Sequence, residues 1–346
     1  WRWRWRGYID GEWHDEYFTT EYPDSLEEAV AQVQARYPNA SIDHYGHERN
    51  ENYGKGNDAI PDRAFRDKST LVNFVFPEKV TKIGVNAFSG CSLLAGALII
   101  PDDVVEICEY AFSDCSNITS LSLPPHLEKI GGYAFKSCSA LSGNLGLPSS
   151  LTYIGGGAFE GCRGFTGPLV LSDNLEYLGG WAFSGCSGFT GDLVIPTSLS
   201  DIWDWTFKDC GGLNGRLVLH DGLNINISGR VSPDGAQFSG CSFQGELKLP
   251  ANLLKIPDEC FSNGQFSSIA EFPKGLVEIG NRAFAWNWRL MGTLEFPDEL
   301  VALGENAFEG CSTLEGVVLP AELAILKSCV FINCFYLNKI VVFFDI

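Results

Sequence analysis

One phrase, AFxxC with its variants, returns along the chain at a fixed phase, and it limits the possible folds more than any other feature. Its Phe anchors are Phe65, Phe88, Phe112, Phe135, Phe159, Phe183, Phe207, Phe238, Phe261, Phe284, Phe308 and Phe331. They stand 23 or 24 residues apart, apart from a gap of 31 between Phe207 and Phe238. Self-similarity at about 20–29 residues marks a solenoid of leucine-rich type. A solenoid grows by stacking coils, so the 346 residues do not imply two or three globular domains.

One unit shows why neighbours are needed. In LGLPSSLTYIGGGAFEGCRGF, Leu145 and Leu147 alternate as a short half-buried strand that ends at Pro148. Ser149 and Ser150 turn the chain. Leu151 and Ile154 then point inward at helical spacing, followed by Ala158, Phe159, Cys162 and Phe165. A single coil cannot bury these columns, whereas a stacked neighbour covers them. The expected fold is an α/β solenoid of about twelve coils with a parallel sheet on one face and helical or irregular turns on the other. The crossover rule makes it right-handed. Gly167, Gly191 and Gly215 fall where the 24-residue coils carry their extra residue, which suits a bulge or positive φ.

The repeated phrases IGGGAFEGC, LGGWAFSGC and LGENAFEGC, preceded by LPSSL or LPAEL, resemble the BspA-like (Treponema-type) leucine-rich repeats. The resemblance covers roughly residues 58–346 and departs at the Phe207–Phe238 insertion, at CFSNG (260–264) and at AFAWN (283–287). It implies a bacterial or protist surface or secreted protein engaged in adhesion to a partner.

Residues 1–57 do not repeat. Asp10-Gly11 reads as a hairpin turn that sets Arg6 opposite Asp15. Ser25 and Glu28 form a capping box for a helix ended by Pro38. The segment is expected to cap the first coil. Its WRWRWR opening would suit a membrane interface by itself, but the acidity of the whole chain favours a cap strand. The other end, Ile340-Val341-Val342-Phe343-Phe344, is apolar and has no polar cap. It is expected to continue into further chain or to self-associate.

Net charge is −19, so phosphate backbones and anionic lipid are poor partners. Basic proteins and neutral glycans remain open. No apolar run reaches about 18 residues, so no membrane span is expected. The chain opens on Trp1 and holds its only methionine at Met291, so a missing targeting signal says nothing of location.

Of twelve cysteines, nine stand three residues after a Phe: Cys91, Cys115, Cys138, Cys162, Cys186, Cys210, Cys241, Cys311 and Cys334. One column of a repeat takes one small apolar side chain, a role free Cys fills. No CxxC pair occurs. Cys108, Cys260 and Cys329 lie off the column and are the thiols to examine for pairing. Catalytic motifs are missing: no G-x-S-x-G, P-loop or HExxH appears. Asp43-His44 with His47-Glu48 falls short of the three or four convergent ligands of a metal site. No catalytic residue, metal or cofactor is expected.

Binding features are stronger. Outward strand positions include Val170, Val194 and Val218 on adjacent coils, flanked by Asp192 and Arg216. An exposed apolar stripe of this kind marks interaction surfaces, although Val suits strands in any case. A second column, two residues before the Phe, runs Tyr110, Tyr133, Gly157, Trp181 and Trp205, with Trp203 beside it. Such aromatics anchor interfaces or stack on sugar rings, or simply pack over the adjacent turn. Trp286 and Trp288 form a smaller pair, and the insertion Asp221–Asp234 is a candidate specificity loop. The expected function is recognition of a protein partner through the strand face and inserted loop. A glycan-binding module using Tyr133, Trp181, Trp203 and Trp205, or a structural spacer, is the alternative.

Overall fold

The computed structural model describes residues 59–77, 79–225 and 235–342, the backbone of strands Arg2–Ile9, Glu12–Thr19 and Tyr45–Glu48, and helical Gln32 and Ala35. The chain is a parallel β-solenoid of about twelve turns with almost no helix.

All twelve anchor phenylalanines form one interior row. Neighbouring rings stack at 5.0–5.8 Å from Phe65 to Phe331, without a break at the insertion, where Phe207 and Phe238 lie 5.7 Å apart and 5° from parallel. Beside them run buried Ile83, Ile107, Ile130, Ile154 and Leu178. Each coil leaves one side of every column bare, and the next coil covers it. The hydrophobic gain is therefore made between coils rather than within them.

Two parallel ladders line the stack. In the first, Ala59–Ile60, Lys82–Ile83, Glu106–Ile107, Lys129–Ile130, Tyr153–Ile154 and Tyr177–Leu178 pair in register. It resumes with Lys255–Ile256, Glu278–Ile279, Ala302–Leu303 and Ile325–Leu326. Between the two runs a bridge joins Asp201 to Asn224, and the insertion follows. The second ladder carries the expected outward strand face. It pairs Ala95–Ile99 with Asn117–Ser122, Leu193–Val194 with Leu217–Val218, and Gln244–Leu247 with Gln265–Ile269, and it ends in Gly292–Glu295, Leu314–Leu319 and Lys339–Val342. Gly167 and Gly191 adopt positive φ (75° and 84°) as expected, but Gly215 is not among the positive-φ glycines.

The helical side expected from Leu151 and Ile154 does not form. Ile154 sits in the first ladder, and AFxxC is a run of turns. The reason lies two residues before and two after each Phe, where the backbone is left-handed: Tyr133 and Ser137 (φ 55° and 60°), Trp181 and Gly185 (59° and 75°), Asn306 and Gly310 (57° and 71°). A left-handed residue ends an α-helix, and two of them four apart leave no room for one. Alternate N–H groups point instead at the next coil: Asn86 to Glu109 O (2.9 Å), Phe88 to Ala111 O (2.7 Å), Gly90 to Ser113 O (2.8 Å). The turns thus act as a third set of inter-coil hydrogen bonds and satisfy backbone that would otherwise be buried unpaired.

The cysteine column has a polar task as well as an apolar one. Each thiol donates to the carbonyl of the preceding coil's Phe, as in Cys115 to Phe88 O, Cys162 to Phe135 O and Cys210 to Phe183 O, all at 3.1 Å. Where AFAWN lacks the Cys, Asn287 takes over: its Nδ2 donates to Phe261 O (2.8 Å) and Phe284 O (2.9 Å). Asn is larger, and the preceding coil makes room with Gly264, whose absent Cβ would stand 2.5 Å from Asn287 Oδ1. The two departures from the repeat are one compensated exchange. All twelve cysteines are free; Cys108 and Cys260 are buried and Cys329 is exposed.

At the N-terminus, Arg2–Ile9 pairs antiparallel with Glu12–Thr19 and Tyr45–Glu48, and Arg6 faces Asp15. The Asp10-Gly11 turn and most of the expected helix lie outside the described residues. So do Asp43, His44 and residues 343–346.

Candidate recognition surface

The strand face is built by the second ladder. Strand alternation turns Leu193 and Leu217 inward, buried, and Val194 and Val218 outward. Val170, Val194 and Val218 are 66%, 54% and 39% exposed. Val194 and Val218 stand directly opposite each other across paired strands. The structure brings Val194 and Val218 together, and Val170 on the preceding coil and Ile99 further back are exposed at the same phase.

Asp192 and Arg216 lie two residues before Val194 and Val218. Asp192 Oδ1 accepts the Arg216 backbone N–H at 2.8 Å, and Oδ2 accepts Nε and Nη2 at 3.2 and 3.0 Å. That N–H, then the guanidinium, holds the Asp192 carboxyl below its ordinary range. The two charges cancel locally. They are the sole charged residues in segments 93–99, 117–122, 140–146, 164–170, 188–194 and 212–218. Later coils carry Glu246, Lys248, Glu271 and Glu295 at the same phases. On a chain of net charge −19, six coils of strand face are electrically neutral.

The aromatic column divides into pairs. Tyr110 and Tyr133 stack at 5.0 Å, and the Tyr133 ring covers Gly157 so closely that a Cβ there would have no room. Trp181, 38% exposed, meets half-buried Trp205 at 4.8 Å with the rings 78° apart. Lys208 lies 5.1 Å over Trp205, and Lys136 lies 5.0 Å over Tyr133. Trp203 is half-buried and tilted against Tyr177 at 6.2 Å. The rings touch one another and their own lysines, and Trp181 and Trp205 present no common plane.

Cys334, in the last coil, is half-buried, and Phe335 (79%), Tyr336 (67%) and Ile340 (58%) beside it are exposed. Insertion residues 226–234 lie outside the described residues, although Leu223 and Ile225 at its start are buried. Among the described residues no group of three or more His, Cys, Asp or Glu could hold a metal, and no helix is long and apolar enough to cross a membrane.

One column escaped the sequence reading. On six consecutive coils the residue following the buried Leu, Ile or Phe is Thr119, Ser142, Thr166, Thr190, Asn214 or Gln244, all exposed, whereas Ala95, Ser267, Met291 and Glu315 hold that phase on other coils. The signal was present as a small polar residue, usually before Gly, at fixed phase.

Stacked in-phase coils, inter-coil parallel ladders and an unbroken core row define a leucine-rich-type solenoid. The BspA-type leucine-rich repeat region matches residues 58–190, 166–224 and 234–346, and the chain belongs to that family. The fold is similar to a leucine-rich cell surface protein of Faecalibacterium prausnitzii (22% identity, 82% of this chain and 78% of that one, TM-score 0.44). It is similar also to a leucine-rich repeat protein of Bacteroides ovatus (21%, 86% and 94%, 0.42) and to one of T. pallidum (20%, 74% and 71%, 0.28). A comparison with curated proteins returns no match.

Proposed function

We propose that this chain is a non-catalytic recognition or adhesion protein of the cell surface or secreted space, and that it docks a protein partner on its strand face. The carrying observation is the exposed stripe Val170, Val194 and Val218 inside a stretch whose only charges are the paired Asp192 and Arg216. Burying it removes apolar area from water without stranding a charge. The one ion pair in the stretch, Asp192–Arg216, cancels its own charge, so covering it buries no net charge. The inserted segment at 221–234 leaves the chain just beyond Val218 and is well placed in sequence to add specificity. The aromatic column supports a glycan reading less well, since Trp181 and Trp205 meet nearly edge to face and Lys208 occupies a Trp205 face.

The test is capture of surface and extracellular proteins by the purified chain, compared with Val194→Asp. Loss of capture with an unchanged circular dichroism melt supports the assignment. Equal capture by the variant removes the strand face from consideration.

A further inference from the structure

The aromatic column fails as a flat platform for a sugar, and the same geometry suits a rounder ligand. Trp181 and Trp205 stand at 4.8 Å with their rings 78° apart, so they form a corner and not a shelf. A Cβ on Gly180, the residue before Trp181, would stand 3.6 Å from Trp203 Cβ, which places Trp203 beside this corner. Trp203 in turn leans on Tyr177 at 6.2 Å and 49°. Two neighbouring coils thus bring four aromatic side chains together, of which Trp181 is 38% and Tyr177 36% exposed. The corner is set before anything binds: Trp181 and Trp205 both have φ of 59°, and their N–H groups donate to Asp204 O and Gly235 O, each at 3.2 Å.

Charge and shape then narrow the ligand. One cation already lies on the corner, since Lys208 Nζ is 5.1 Å over the Trp205 ring. The surrounding chain is acidic: residues 173–210 hold six carboxylates and one base, Lys208 itself. Ring faces and a negative field both draw cations. A primary ammonium or a metal ion is strongly hydrated and calls for oxygen ligands, which ring faces do not supply. A trimethylammonium group has no N–H to satisfy. It is round, and its charge is spread over methyl groups that can touch two walls at once.

We propose that the corner formed by Trp181 and Trp205, flanked by Trp203 and Tyr177, binds a quaternary ammonium group of the kind carried by choline. Lys208 is its built-in competitor for the Trp205 face. The site lies on the turns and not on the strand face, and it does not depend on the protein-docking reading.

The experiment is titration of the purified full chain with tetramethylammonium in excess sodium chloride, followed by saturation transfer to its methyl signal. Choline, phosphocholine and choline's uncharged carbon isostere are run in parallel. Saturable binding of tetramethylammonium is expected, with little binding of the isostere. Choline and phosphocholine tell a free base from a phosphorylated head group, and binding of either supports the site. Trp181→Leu should weaken binding at least about fivefold, whereas Trp181→Phe keeps a ring face and should retain most of it. Lys208→Met clears the Trp205 face and should tighten binding, and melting curves of the three variants report on the fold. The proposal is overturned by no saturable binding or by equal binding of the isostere. It is overturned also if Trp181→Leu binds unchanged or Lys208→Met binds no more tightly. Protein capture is scored separately through Val194→Asp, so either result leaves the other standing.

Discussion

Phe183→Ala tests the principle on which the whole molecule rests. Phe183 is fully buried, stacks on Phe159 at 5.4 Å and Phe207 at 5.8 Å, and meets the edge of Phe189 at 6.1 Å. Truncating such a ring costs about 3–5 kcal/mol. Phe331, in the last coil, is half-buried and has one ring neighbour among the described residues, Phe308 at 5.7 Å. If stability is made between neighbours, Phe331→Ala loses one interface instead of two and should cost about half as much, roughly 1.5–2.5 kcal/mol. At about 2–4 °C per kcal/mol, the interior change should lower the melting temperature by roughly 10 °C and the terminal one by a few degrees. Urea unfolding followed by tryptophan fluorescence, with thermal melts by circular dichroism, measures both. Equal losses at the two sites would refute nearest-neighbour stacking as the source of stability.

Other outcomes follow from the cysteine column. In native protein at neutral pH, a thiol reagent should label Cys329 at once and Cys334 slowly, and denaturant should release all twelve; rapid labelling of several more thiols would contradict the burial. Burial pushes Cys91 up to about 11 and Cys162 up to about 12. Because these folded values are raised, the stability they contribute is complete below the unfolded thiol range and is lost as pH rises through it towards 11–12. Each such thiol removes about 1.4 kcal/mol per pH unit, so unfolding titrations between neutral and alkaline pH should show a steep fall starting near pH 9; a flat profile would refute it. Asn287→Ala should destabilise by about 1–3 kcal/mol, because it takes the side-chain donor from the buried Phe261 carbonyl; an unchanged melting temperature would oppose this.

The stack was legible because a one-dimensional repeat needs only phase. Twelve Phe at constant spacing admit one arrangement in which all are buried. The turn conformation was not legible: Tyr133, Trp181, Asn306 and Glu259 share a left-handed position that their side chains do not announce. Leu151 and Ile154 showed helical spacing, yet a two-residue strand satisfies the same pair of inward positions. Column spacing correctly made Trp181 and Trp205 neighbours but carried no information on ring tilt. The size of the Cys column was readable, its hydrogen bond was not, and Asn287 makes sense only once the Phe261 carbonyl is seen waiting for a donor.

The left-handed residue before each Phe has an evolutionary consequence. At that corner the backbone is fixed by its bonds to the next coil, and the occupant's side chain contributes little to holding it there: Gly, Asn, Tyr, Trp, Arg and Glu all serve. Each turn therefore offers an interchangeable display position on an invariant scaffold. New surface chemistry can be sampled there one coil at a time, at a cost of about 1–2 kcal/mol of conformational preference per non-glycine occupant, while the row of rings beneath stays as it was.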